Sequence, residues 1–245
     1  MKVGILQCDI VRDVFRDQGF EDYPSMIQAG FQEIGADFEF ETFCCVNGEL
    51  PADVSACDAY ITSGSRFSVL DPDQWIRNLE QFVLQLVEAK VPYVGICFGH
   101  QLLAQAMGGL VEKADVGWGV GVSINELKLP HAALLQHSED GQIRLIVSHQ
   151  DQVTQVPTEL SCIGGSDFCP NYFFTLDDHV LTIQGHPEFT REYSNALMEF
   201  RRDIIPEDVV NMGQKSLQGR VDRELVFEWI SSFIMNASKS SAVKN

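Results

Sequence analysis

The order of apolar runs predicts an α/β fold: a doubly wound, mostly parallel sheet flanked by helices. Three observations carry this expectation. Strand-like runs at Val3–Leu6, Ala59–Thr62 and Val91–Ile96 are each separated by helical patterns. The run Tyr93-Val94-Gly95-Ile96-Cys97-Phe98-Gly99-His100-Gln101 reads as a buried strand, a tight turn and a helix. Polar turns, among them Ser63-Gly64-Ser65, follow the strands, where such sheets bind ligands.

The elements follow in order. Val3–Leu6 is a short apolar run that ends in polar residues, a first strand. Tyr23 to Ile34 places Met26, Ile27, Gly30, Phe31 and Ile34 at helical spacing, and Gly35 stops it. Phe38–Phe43 alternates as a half-buried strand does, and Ala59–Thr62 is a third. Asp71-Pro72-Asp73 predicts a helix start with a capping aspartate and a proline in the first turn. Trp75, Ile76, Leu79, Phe82, Val83, Leu86 and Val87 then step by three and four, the clearest helix in the chain. It feeds the strand before Cys97. The next helix runs through Leu102, Leu103, Ala106 and Met107 to Gly108-Gly109.

From Val111 to Ile183 the helical signal weakens, and Val120–Leu129, Ile143–Val147 and Val180–Ile183 read as strands. This half is expected as a more antiparallel layer or as an extension of the sheet edge. Helical spacing returns at Tyr193, Ala196, Leu197 and Phe200, and again from Leu225 to Ile234. The expected organisation is one main domain over 1–205, a helical extension over 206–236 packed on it, and a disordered tail over 237–245.

Composition narrows the function. The chain has 245 residues, 45% of them hydrophobic, enough to bury a full core. Seventeen Lys and Arg against 35 Asp and Glu give a net charge of -18, which repels phosphate backbones and argues against nucleic-acid binding. Seven cysteines without a C-x-x-C pair suit a reducing, cytoplasmic setting. The histidines make no metal-ligand spacing with them, so neither metal nor cofactor is expected. The N-terminus meets Asp9, Arg12 and Asp13 too early for a signal peptide. No apolar stretch approaches the ~20 residues of a membrane helix.

The chemistry centres on Cys97. A strand–turn–helix elbow lifts a nucleophile clear of its neighbours, and Gly95 and Gly99 wall this turn. The helix behind points its positive end at the sulfur, which favours the reactive thiolate. Gln184-Gly185-His186-Pro187-Glu188 supplies an imidazole and a carboxylate two positions apart. Cys97 would attack an acyl carbon, His186 would protonate the leaving group and then activate water, and Glu188 would orient the imidazole. The backbone N–H of Phe98 and a Gly64-Ser65 loop would hold the oxyanion, where losing one donor costs ~2.7–4 kcal/mol. His100, His131, His137 and His179 are read as structural or exposed. Phe67 and Trp118 are read as core or lid aromatics, and Ser148-His149-Gln150-Asp151 as either a polar loop or a wall of the site.

These residues resemble the class I (triad) glutamine amidotransferases. Gly95-Ile96-Cys97-Phe98-Gly99-His100-Gln101 and Gly185-His186-Pro187-Glu188 come in that family's order, about ninety residues apart. Gly64-Ser65 with Ser68-Val69-Leu70-Asp71 is similar to the family's oxyanion loop. Ser148-His149-Gln150-Asp151-Gln152-Val153 is similar to the S-H-x-D-x-V segment of the GMP-synthase-related branch. Gly117-Trp118-Gly119-Val120-Gly121 and Ser166-Asp167-Phe168-Cys169-Pro170-Asn171 have counterparts there too.

The resemblance implies a flavodoxin-like fold and hydrolysis of glutamine through a γ-glutamyl thioester. It makes Cys97, His186 and Glu188 the catalytic set and Gly64 and Phe98 the oxyanion donors. Gln101, Ser65, His149, Asp167 and Asn171 become substrate contacts. A full GMP synthase adds an ATP-using domain after this one, and no G-x-x-x-x-G-K-[ST] loop follows here. Two leaving groups therefore stay open. One is ammonia from glutamine, for an ammonia-accepting synthase subunit. The other is the amine of a γ-glutamyl peptide or glutathione conjugate, toward which Gly117-Trp118 and the compact size lean. A non-catalytic binding or regulatory module is a third reading, against which the intact Cys97–His186–Glu188 set argues.

Overall fold

The computed structural model describes residues 1–128 and 140–243, with side chains as far as residue 238. His131, His137 and the expected strand end at Leu129 lie outside these residues.

Five parallel strands build the centre. They are β1 (Lys2–Leu6), β2 (Glu39–Phe43), β3 (Ala59–Thr62), β4 (Tyr93–Ile96) and β11 (Val180–Ile183), in the spatial order β2-β1-β3-β4-β11. β1, β3, β4 and β11 are buried along almost their whole length, so their sequences are continuous apolar runs. Only β2, at the edge, has no buried residue.

The sheet continues antiparallel through β10 (Phe173–Leu176), β9 (Ser161–Gly165), β6 (Gly119–Leu127) and β7 (Gln142–His149). Of the two expected arrangements, the edge extension is therefore the one formed. β5 (Leu110–Lys113) and β8 (Asp151–Gln155) make a small separate ladder. β5, β8, β9 and β10 carry no strand assignment from the sequence. β8 is mostly polar, β9 ends in two glycines, and β5 buries one residue of four, so none presents a readable two-residue period.

Helices cover both faces. α2 (Tyr23–Glu33) and the C-terminal helix α7 (Arg223–Val243) pack together on one face, where Phe31 and Phe227 meet edge to face at 5.0 Å. Gly30 makes that approach possible, because a β-carbon there would lie 2.1 Å from the Phe227 ring. α3 (Gln74–Glu88) and α4 (Phe98–Ala106) cover the other face, around Tyr60, Phe82, Tyr93 and Phe174. Between β11 and α7 come α5 (Arg191–Phe200) and α6 (Glu207–Ser216), which pack on β6. The short α1 (Asp13–Arg16) adds Phe15 to the same cluster. α7 runs on past Ala237 to Val243.

The start of α3 departs from its expected form. Asp73 is the N-cap residue, but its side chain accepts no capping bond, and Pro72 stands before the helix. Asp71 instead takes the Ser68 N–H at 2.9 Å, so this segment closes a loop rather than capping a helix.

Registers set the site. Thr62 pairs with Gly95, and Ile96 with Ile183. The residues following β3, β4 and β11 therefore emerge side by side at the carboxyl edge of the parallel sheet.

Candidate active site

Cys97 is the N-cap residue of α4 and has φ 48° and ψ -90°. An L-residue adopts such angles only at a cost of order 1–3 kcal/mol, met by the packing around it. The elbow is held tightly. Cys97 N–H donates to Ile183 O at 2.8 Å, and Cys97 O accepts from Gln101 N–H at 3.1 Å. A β-carbon on Gly95 would lie 2.8 Å from the Gly99 backbone, and one on Gly99 2.6 Å from Thr62. Both positions exclude any side chain, which is why glycines flank the turn. The thiol accepts a hydrogen bond from Gln184 Nε2 at 3.4 Å.

The chain leaving β11 delivers the imidazole. His186 N–H donates to Ile146 O of β7 at 2.8 Å, an isolated bridge that pins the backbone. The ring stacks on Phe189 at 3.9 Å and 12°. His186 Nδ1 lies 2.8 Å from Glu188 Oε1, and the Cys97 side chain is near enough to favour charge on the ring. Cys97, His186 and Glu188 are 5%, 4% and 0% exposed. Burial opposes charge on His186, but Cys97 and Glu188 outweigh it and raise its pKa to about 10. A charged imidazole between two acidic groups is the form this geometry favours.

Gly64 sits directly against the imidazole, where a β-carbon would lie 2.5 Å from His186 Cε1. Phe98 is the first residue of α4, so its N–H has no acceptor within the helix.

A cavity of about 150 Å³ opens over Cys97. Gln101, Ser65 and His149 line it, as do Phe67, Trp118 and Arg201. Gln101 donates to Asp151 O at 2.8 Å and to Gln184 Oε1 at 3.1 Å, tying α4 to β8. Ser65 donates to Cys8 O and accepts from Phe67 N–H, holding the loop after β3. His149 Nδ1 lies 3.2 Å from Asp151 O, and burial lowers its pKa to about 4.

Two expected substrate contacts lie elsewhere. Asp167 borders a separate groove with Glu126, Lys128 and Pro170. Asn171 donates its side-chain N–H to Val153 O at 2.9 Å, and its carbonyl faces His100 Nε2 at 3.0 Å. Neither lines the cavity over Cys97. His100 is a core residue, stacked on Phe174 at 4.4 Å and bonded to Thr182 Oγ1 at 2.8 Å. His179 is buried as well, with neither ring nitrogen hydrogen-bonded. Phe67 and Trp118, expected as core or lid aromatics, contribute to the cavity wall.

Two residues of the site escaped sequence reasoning. Gln184 was read only as the start of the His186 motif. Arg201 was not singled out, although its being one of 17 basic residues in a strongly acidic chain was a usable signal. No cluster of metal-ligating side chains occurs among the described residues. No helix there is long and apolar enough to cross a membrane.

A cysteine at a strand–helix elbow beside a buried histidine–glutamate pair, on a mostly parallel sheet, defines the class. The chain belongs to the class-I glutamine amidotransferase family, whose model matches residues 49–204. It is 28% identical over 188 residues to gamma-glutamyl peptidase 2 of Arabidopsis thaliana, covering 74% of this chain and 75% of that one. It is 30% identical to the glutamine-hydrolyzing GMP synthase of Porphyromonas gingivalis, over 77% of this chain but 38% of that longer protein. Its fold matches the crystal structure of a glutamine amidotransferase from Methylobacillus flagellatus, with TM-score 0.73, 20% identity, and coverage of 98% and 94%.

Proposed function

We propose that the protein hydrolyses γ-glutamyl amide bonds with Cys97 as nucleophile, His186 as acid and base, and Glu188 as the group that orients His186. The convergence of these three side chains, anchored by the 2.8 Å His186–Glu188 contact, carries this reading.

The Cys97 sulfur attacks the γ-carbonyl carbon, and the carbonyl electron pair moves onto oxygen. Gly64 and Phe98 N–H groups stabilise that oxyanion. The C–N bond breaks as His186 gives its proton to the departing nitrogen, leaving a γ-glutamyl thioester. Water then attacks the thioester while His186 takes a proton from it. The C–S bond breaks, and glutamate leaves with the cysteine restored.

The chemistry up to the thioester is the same whether ammonia or a peptide amine departs. An amidotransferase would deliver ammonia to a synthase partner. The γ-glutamyl peptidase relatives match this chain over 63% to 75% of both lengths, against 38% of the GMP synthase, which favours hydrolysis of small peptides without a partner.

The test is turnover of glutamine and of a γ-glutamyl dipeptide side by side, with Cys97→Ala as the blank. Mass spectrometry of the quenched enzyme should find one glutamyl group on Cys97. Turnover of either substrate that persists in Cys97→Ala would overturn the reading.

A further inference from the structure

Arg201 follows the end of α5 and reaches back into the cavity over Cys97. Its guanidinium lies over the Trp118 ring at 5.5 Å, and Nη1 donates to Ser148 Oγ at 2.7 Å. These contacts fix the plane of the group and engage one of its five N–H donors. Among the described residues no carboxylate lies within ion-pairing distance of it. The cavity's other arginine differs. Arg66 is bound by Asp9 at 2.7 Å, so its charge is already met. The adjoining arginine, Arg202, is turned outward onto Glu199 at 2.5 Å.

An uncompensated, oriented cation is out of keeping with a chain of net charge -18 unless an anion is brought to it. Holding a half-buried guanidinium without a counter-charge is unfavourable, and a bidentate carboxylate is the partner its fork fits best. A thioester-forming cysteine shares the space, so the anion arrives with the substrate. Asp151 also lines the cavity and brings the opposite charge, which together with Arg201 suits an α-amino acid.

We infer that Arg201 is the specificity-determining residue of this site, binding a carboxylate of the γ-glutamyl substrate through its free guanidinium N–H groups. The inference rests on the hydrolase reading above for its substrate. Two carboxylates could fill the role: the α-carboxylate of the γ-glutamyl group, or one on the leaving group.

Two readouts test it. The first needs no turnover: alkylation of Cys97 by iodoacetate against neutral iodoacetamide, followed by peptide mapping. Burial pushes the Cys8, Cys45 and Cys169 thiols up, Cys169 to about 12, so they compete weakly. Arg201→Gln should lower the iodoacetate-to-iodoacetamide rate ratio at Cys97 by about tenfold. Arg201→Lys should restore part of it, and Ser148→Ala, which frees the guanidinium from its tether, should lower it less.

The second readout is steady-state kinetics on γ-glutamyl-4-nitroanilide and its 3-carboxy derivative. Arg201→Gln should raise KM by about ten- to a hundredfold with kcat little changed. A rise on both substrates assigns the α-carboxylate of the γ-glutamyl group; a rise on the carboxylated anilide alone assigns the leaving group. An unchanged alkylation ratio with unchanged KM would overturn the inference and leave the hydrolase reading standing. A lowered ratio in a protein that cleaves neither substrate would keep the anion site and remove the hydrolase reading. A change in kcat or melting temperature alone, with no change in ratio or KM, would make Arg201 structural.

Discussion

Gly64 lies so close to His186 that a β-carbon on it would sit 2.5 Å from the imidazole Cε1. Gly64→Ala must therefore push the ring, which is trapped against Phe189 on its other contact. Since the imidazole aligns both the thiol and the leaving group, kcat should fall about 10²-fold. Circular dichroism should remain that of the native fold. A Gly64→Ala enzyme with native kcat would mean that the loop, and not the ring, yields.

Cys97 carries backbone strain at φ 48°, and a glycine would release it. Cys97→Ala and Cys97→Gly should both abolish turnover. Relief of ~1–3 kcal/mol of strain outweighs the ~0.5–1 kcal/mol entropic handicap of glycine. Cys97→Gly should therefore melt a few degrees above Cys97→Ala. Calorimetry of the two variants decides it, and a lower melting point for Cys97→Gly would contradict the strain.

Glu188→Gln keeps the shape of the side chain. The carbonyl can still accept from His186 Nδ1, while the amide replaces the oxygen Oε2, which is buried without a partner. Only the charge is lost, and with it one of the two groups that hold the imidazole pKa up. We expect kcat to fall about 10²-fold or more with KM little changed. The alkaline limb of the kcat profile should move to lower pH, because the imidazolium then gives up its proton sooner. An unmoved alkaline limb would show that Glu188 does not support that charge.

Buried neutral histidines give the protein an acid sensitivity above the carboxylate range. Burial lowers His100 to about 3 and His149 to about 4. In the unfolded chain both bind protons below about 6.5. Between there and their folded values the unfolded state holds more protons, so stability falls as pH falls. His186 adds nothing to this in that window, since it is protonated in both states. Urea unfolding from pH 6 to pH 5 should approach a slope of about 1.4 kcal/mol per pH unit for each of these two histidines. A flat response would mean that the two rings are protonated in the fold.

Much of the fold was legible because the parallel strands are short and wholly apolar. Ala59–Thr62 and Val180–Ile183 have the bounds expected from sequence, and α3 follows its three-and-four spacing closely. The antiparallel half was harder to read. β8 lies on the surface ladder and β9 accommodates glycines against Glu126 and Pro170, so packing there selects residues without a visible period. That Cys97, His186 and Glu188 would come together was legible because each sits in a short local motif. Arg201 was not, since nothing in Phe200-Arg201-Arg202 tells which arginine turns inward. Asp167 shows the converse: a motif can be present while the side chain faces another groove.

β7 stands last in the sheet order, yet Ile146 O holds the His186 backbone and His149 lines the cavity over Cys97. The outermost strand is thus wired to the centre of the site. An edge strand is laddered on one side only, but β7 is mostly buried and is tied at Ile146 to His186 as well. Loss of that one carbonyl contact would free the His186 backbone while the ladder of the parallel strands stays intact.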